Sequence, residues 1–188
     1  MKRRAELLLA AGLLLAGCGE DPIPRPRGYF RIDMPEPRFS AWSDTGVVWM
    51  EVPEAARISL GQRRGEARWY DLRYTALRGT VHLTWSPVNG DLPRLIEDAH
   101  IFKRSHQSKA ARIDSERLLR PEDRVFGTLF KVEGDVASPF VFYLTDSTDN
   151  FLYGALYFDV PPNADSLAPV TERVRADMHH LATTLRWQ

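Results

Sequence analysis

The chain has 188 residues, enough for one domain with a single core. Lys plus Arg and Asp plus Glu number 25 each, so the formal net charge is zero and no global basic field exists to gather nucleic acid. Hydrophobic residues at 44% and charged residues at 27% exclude a disordered body, and the single cysteine excludes an internal disulfide and any CxxC metal or redox site.

Lys2, Arg3 and Arg4 precede Leu7 to Ala16, an apolar run broken only by small Ala and Gly, which has the form of a signal-peptide core. A membrane-spanning helix needs roughly 20 apolar residues, and no other run in the chain comes close. The run closes on Leu15-Ala16-Gly17-Cys18, which resembles the lipobox of bacterial lipoproteins. On that resemblance residues 1–17 are the signal peptide, the small residues before the cleaved bond suit the lipoprotein signal peptidase, and the Cys18 thiol accepts a diacylglyceryl group. The bland alternative is a secreted protein with a stray free cysteine. Each buried CH₂ of an acyl chain adds roughly 0.8 kcal/mol of membrane affinity, so palmitate-type chains on Cys18 anchor the protein without spanning the bilayer. Cleavage removes Lys2, Arg3, Arg4 and Glu6 and leaves a net charge of −2, so electrostatics does not drive attachment. Gly19 stands where Asp would signal inner-membrane retention, which favours the outer membrane. Glu20 and Asp21 leave the cell surface open, with the periplasmic face favoured.

Residues 18–27 form a tether. Pro22, Pro24 and Pro26 preclude helix and favour polyproline II, so the nine residues Gly19 to Arg27, at about 3.1 Å each, reach roughly 28 Å. The globular domain is then a single unit over 28–188, with Tyr29, Phe30 and Ile32 apolar enough to dock on it. Val47 to Val52 and the segment holding Trp69, Leu72 and Tyr74 read as strands. Gly79 to Ser86 alternates, with Val81, Leu83 and Trp85 on a buried side and Thr80, His82 and Thr84 opposite. After Asn89-Gly90, Asp91 caps a helix in which Leu92, Leu95, Ile96, Ala99 and Phe102 recur at helical spacing, ending near Gln107. Phe126, Phe130 and Val132 mark the next strand, closed by Gly134-Asp135.

Pro139 to Thr145 and Phe151 to Val160 are apolar on both faces and read as central strands, joined by the five residues Asp146 to Asn150 as an antiparallel hairpin. Such strands require cover on both faces. A second helix follows in Leu167, Val170, Val174, Met178, Leu181 and Leu185, with Ser166 as cap and Pro169 in its first turn. The fold class is α+β: a central antiparallel sheet flanked by helices, an α/β sandwich whose element order is similar to the Mog1/PsbP-like fold.

No GxGxxG, GxxxxGK[ST], GxSxG or HExxH motif is present, so no catalytic residue, cofactor or metal is assigned. His179 and His180 point about 100° apart on a helix and cannot chelate one ion. Glu97-x-x-His100 has di-iron half-site spacing without a second copy, and His82 lacks a positioned partner. Asp146-Ser147-Thr148-Asp149-Asn150 is a polar run beside the most apolar strands. It reads as a turn whose side chains bond neighbouring amides, or as a recognition loop for a protein partner. Calcium is disfavoured because the acids lack EF-hand spacing and its Gly. The five tryptophans read mostly as core, with Trp42 a candidate interface anchor.

Pro26-Arg27-Gly28-Tyr29-Phe30-Arg31-Ile32-Asp33 after the lipobox, and Thr145-Asp146-Ser147-Thr148 before Phe151-Leu152-Tyr153-Gly154-Ala155-Leu156-Tyr157-Phe158, resemble the gliding-motility lipoprotein GldD family of Bacteroidota. Val81-His82-Leu83-Thr84, Leu95-Ile96-Glu97-Asp98-Ala99 and Pro162 to Val170 fall in the same order, so the resemblance covers nearly all of the mature chain. It implies a non-enzymatic outer-membrane lipoprotein that supports gliding motility and type IX protein secretion through contacts with other envelope proteins of that machinery. It implies no small-molecule substrate. Many members carry cysteines near the second and third strands, which this chain lacks, so no family disulfide carries over. The alternatives are a periplasmic ligand-binding or carrier lipoprotein, which a large enclosed apolar cavity would favour, and an envelope hydrolase with Asp146 or Asp149 as general base.

Overall fold

The computed structural model describes Met34 and residues 36–61, 65–105 and 110–188, with backbone alone for 102–105. The signal peptide, Cys18, the tether and the docking residues Tyr29, Phe30 and Ile32 lie outside the described residues, as do the Phe102 side chain and the helix end near Gln107.

Among the described residues there are ten strands and two α-helices: β1 (Phe39–Asp44), β2 (Val48–Pro53), β3 (Arg57–Leu60), β4 (Arg68–Tyr74), β5 (Gly79–Pro87), α1 (Leu92–Ser105), β6 (Ala110–Arg120), β7 (Val125–Gly134), β8 (Phe140–Thr145), β9 (Asn150–Phe158), α2 (Ala164–Thr184) and β10 (Arg186–Trp187). Seven strands form an antiparallel sheet in the order β3-β4-β5-β9-β8-β7-β6, and a smaller sheet runs β1-β2-β10. The two-sided apolar segments are β8 and β9, which lie inside the large sheet with Tyr143 opposite Tyr153.

Register divides the side chains into two layers. Leu83, Gly154, Phe142 and Leu129 line up on one face, as do Leu72, Val81, Leu156 and Phe140. This face meets Val174, Met178 and Leu181 of α2 and Val48 and Met50 of the small sheet, and together they make the main core. The opposite face carries Val141, Tyr143 and Phe130 beneath α1, whose His100 ring sits 5.4 Å from Phe130 and 6.1 Å from Tyr143. The two-sided cover that the apolar strands demand is therefore present, supplied by one helix per face plus the small sheet.

Three readings are corrected. Ser166 is not the cap of α2: Asn163 is, its side-chain oxygen accepting from Ser166 N at 3.0 Å, which moves the helix start upstream and puts Pro169 inside the helix. The strands β1, β3, β6 and β10 went unassigned because each lies at a sheet edge and shows no clean alternation of buried and exposed residues. All five tryptophans are half-buried rather than core. Their indoles need an N–H acceptor, and Trp85 and Trp187 find theirs at the periphery, in Asn150 Oδ1 at 2.9 Å and Arg124 O at 3.0 Å. Trp42 packs edge-on against Tyr70 at 5.2 Å and sits against the main core.

Polar side chains stitch the layers together. Tyr74 Oη donates to the buried carboxylate of Asp177 at 3.2 Å, and Arg173 Nε approaches the same group at 3.1 Å. Burial pushes the Asp177 carboxyl upward against the pull of Arg173. His180 Nε2 lies 2.5 Å from Glu51 Oε2 with Phe39 stacked on its ring at 3.7 Å, while His179 reaches Glu116 at 3.3 Å. Adjacent histidines thus tie α2 to two different strands, β2 and β6.

Two glycines set strand spacing. A Cβ on Gly127 would sit 2.1 Å from Tyr143 O, and one on Gly154 would sit 2.3 Å from the Phe142 ring. A backbone oxygen held in a ladder cannot yield, whereas a ring can rotate at some cost. Gly127→Ala is expected to lower stability by about 3 kcal/mol and Gly154→Ala by less, as overpacking of a filled core does. Urea denaturation of both variants checks the order.

Candidate functional site

Two regions gather side chains able to recognise something. The first is the β8–β9 hairpin loop. Asp146 is only 5% exposed, and its Oδ1 accepts from Thr148 N at 2.9 Å, Asp149 N at 2.8 Å and Asn150 N at 2.9 Å. Its Oδ2 accepts from Asn150 Nδ2 at 2.8 Å. Burial pulls the Asp146 carboxyl upward, but the bonds from the Asn150 side chain and the three amides outweigh it and hold the group below the usual carboxylate range. Thr145 adds a clasp: its Oγ1 donates to Asn150 O at 2.6 Å and accepts from Ser147 N at 3.0 Å.

The five polar residues therefore divide by role. Asp146 and Asn150 are spent inside the turn, and both Asp146 oxygens are occupied, which leaves that carboxylate poorly placed to serve as a general base. Ser147, Thr148 and Asp149 are exposed at the tip, with Ser147 in the left-handed region at φ 73°. The tip is continuous with neighbouring elements. Arg124 Nη2 donates to Thr148 Oγ1 at 2.7 Å, Trp187 Nε1 donates to Arg124 O, and Val88 N donates to Asp149 O at 2.8 Å. On the other side Asn150 holds Trp85, over which the Arg68 guanidinium lies at 5.6 Å. A fixed loop tip bordered by arginine and half-buried tryptophan has the composition of protein-binding surfaces.

The second region is a groove of about 410 Å³ between α1 and the sheet. Its floor is two rows in register: His82, Thr84 and Ser86 on β5 face Ala155, Tyr153 and Phe151 on β9. Leu95, Asp98 and Ala99 of α1 form the wall, and Tyr157 extends the aromatic row. Burial pushes the Tyr153 and Tyr157 hydroxyls upward, for Tyr153 with a smaller effect from Tyr157 nearby, so both are neutral at physiological pH. His82 has a partner that the linear sequence conceals: Asp71 sits directly across the β4–β5 ladder, with Nδ1 to Oδ1 at 2.7 Å.

Glu97 and His100 lie on α1 in the predicted spacing, and among the described residues no group of three or more His, Cys, Asp or Glu side chains is placed to hold a metal ion. No helix among the described residues is long and apolar enough to cross a membrane.

A central antiparallel sheet with a helix on each face defines an α+β sandwich, and a fixed, exposed hairpin tip and a lateral groove are features of its surface. Residues 19–187 match the family described as gliding motility lipoprotein GldD, and the chain belongs to that family. It is a gliding motility lipoprotein, and hence a membrane-anchored one. No curated protein matches the chain.

The Asp146 knot makes a pH prediction. A carboxyl whose folded pKa is depressed contributes stability above its unfolded value, near 3.9, and loses that contribution as pH falls through the lower folded value. Asp146→Asn keeps one carbonyl acceptor but turns an amide N–H₂ toward Asn150. It is expected to cost about 2 kcal/mol at neutral pH and to flatten the loss of stability between pH 4 and 2, as read by denaturation midpoints across that range.

Proposed function

We propose that the protein is a non-enzymatic outer-membrane lipoprotein, held by acyl chains on Cys18 at the periplasmic face, that supports gliding motility and type IX protein secretion by binding other envelope proteins of that machinery. The observation that carries the contact is the hairpin tip. Four hydrogen bonds to the Asp146 carboxylate fix the loop, so Ser147, Thr148 and Asp149 are presented without the entropy cost of ordering a mobile segment on binding. Arg124 and Trp187 beside the tip extend it into a surface of the residue types that dominate binding energy. The family match begins at the residue after Cys18 and runs to residue 187, which supports reading Cys18 as the first residue of the working protein. Gly19, in place of Asp, supports outer-membrane sorting. The Asp146 carboxylate is engaged by four N–H groups, which favours a structural over a catalytic role for the most polar segment.

The test is deletion of the gene in its host, complemented with wild type, Cys18→Ala, or the tip variant Thr148→Lys/Asp149→Lys, scoring colony spreading and release of type IX cargo. Wild type is expected to restore both traits. Cys18→Ala and the tip variant are expected to restore neither, while the tip variant melts within about 2 °C of wild type because exposed substitutions change stability little. Full rescue by the tip variant places the contact elsewhere, and full rescue by Cys18→Ala removes the anchor from the mechanism.

A further inference from the structure

β6 ends the large sheet, and charges along such an edge are explained by the need to keep it from pairing with another chain. Leu119 on the same strand is apolar and 66% exposed, the most accessible of the large apolar side chains among the described residues. It lies directly across the β6–β7 ladder from the half-buried Phe126, so the two side chains adjoin on one face of the sheet. Their strand neighbours Leu118 and Val125 point into the main core, which turns Leu119 and Phe126 to the opposite face. An exposed leucine is by itself ordinary, and it is the surroundings that give this one a use.

Two arginines bracket the pair. Arg117 stands on the same face of β6 two residues before Leu119, roughly 7 Å along the strand, and Arg124 stands on the β6–β7 turn two residues before Phe126. Both are exposed, and among the described residues no carboxylate pairs with either. Arg112 and Arg120, on the same strand, each hold an aspartate. The contrast leaves Arg117 and Arg124 as the arginines of this edge whose charge is not matched within the fold. Arg124 Nη2 donates to Thr148 Oγ1, which ties it to the hairpin tip, and Phe126 lies opposite Thr145, the residue before the Asp146 knot. The apolar pair and its arginines are thus continuous with the tip.

An apolar step between two unmatched guanidiniums is complementary to an apolar side chain between carboxylates. Anionic lipid headgroups over acyl chains offer a similar pattern, but Glu122 on the same turn and Asp149 on the tip are both exposed. A uniformly negative surface repels those two carboxylates, whereas a folded partner can set its charges between them. We propose that the contact made at the tip continues onto Leu119 and Phe126, and that the partner protein fills it with an acidic segment, an apolar side chain on Leu119 and Phe126 and carboxylates on Arg117 and Arg124. This inference rests on the reading of the tip as a protein contact and states what the partner brings to it.

The test places the photocrosslinker p-benzoylphenylalanine at position 119 of the full chain in its host, and sequences the peptide it joins. The crosslink is expected on a protein segment with Asp or Glu within two residues of the joined position, and to fall about tenfold when Arg117→Glu is added, as loss of an interface arginine does. In the deletion host, Arg117→Glu/Leu119→Ser is expected to restore neither spreading nor cargo release, while Arg117→Lys, which keeps the charge, restores both. The crosslink keeps the test decisive if the double variant lowers the melting temperature. Crosslinks to lipid alone, to a segment without acidic residues, or to nothing overturn the proposal, as does full rescue by Arg117→Glu/Leu119→Ser. Full rescue by that variant with none by Thr148→Lys/Asp149→Lys confines the contact to the tip and leaves the reading of the tip standing. The reverse pattern removes the tip and keeps the acidic segment on Leu119 and Phe126.

Discussion

The structure depends on one constraint: the hairpin of β8 and β9 is apolar on both faces, and an antiparallel sheet with two apolar faces cannot leave either in water. Everything else is arranged to cover it. On one face α2 and the small sheet supply a thick layer, with Met178, Leu181 and Met50 meeting Phe142 and Leu83. On the other, α1 is the cover among the described residues. Fourteen residues span about 21 Å, and α1 packs mainly against β8 and β9. The sequence of β5 answers that shortfall with His82, Thr84 and Ser86 along the groove. The groove is thus the boundary between the part of the sheet that a helix covers and the part that polar side chains make tolerable in water.

The same constraint explains why the β8–β9 loop is held in one shape. A hairpin connecting two central strands starts and ends inside the sheet, so its first residue, Asp146, is buried while the tip is exposed. A buried carboxylate is costly unless its lone pairs are filled, and the turn fills them with its own amides and with Asn150. The polar run that looks like a binding motif in sequence is therefore two things at once, a structural knot at its ends and a presented surface at its centre. Tip residues can vary in chemistry without disturbing the knot, which is how a scaffold carries function on loops.

Much of this was legible from the sequence, and the misses share a cause. Strand β5 and helix α2 show clear periodicity because each buries one apolar side, and β8 and β9 show as two-sided apolar runs because both of their faces are covered. β6 does not: Ala110-Ala111-Arg112-Ile113-Asp114-Ser115-Glu116-Arg117-Leu118-Leu119-Arg120 lies at a sheet edge with only Leu118 buried, and its charges guard an exposed edge rather than mark a face. The capping of α2 by Asn163 was obscured by Ser166, an equally good capping residue three positions on. The Asp71–His82 pair was hidden for a different reason. It is eleven residues apart in sequence and becomes adjacent only once the β4–β5 register is known, with Tyr74 opposite Gly79. Hairpin register, rather than residue type, is the information a single sequence withholds.

That distinction bears on how a lipoprotein of this kind divides its work. The main core, the α2 cover and the β8–β9 hairpin are specified by volume and periodicity, and any substitution there is felt as stability. The tip at Ser147 to Asp149 and the polar row of β5 are specified by neither, since water satisfies them as well as a partner does. Side chains in such positions have little effect on folding, so their chemistry is free to vary. A protein anchored to a membrane needs no large buried area per contact, because confinement near its partners raises their effective concentration. The small fixed tip and the shallow groove occupy separate parts of the same sheet: the tip at the end of β8 and β9, the groove on the side of β9 that faces β5.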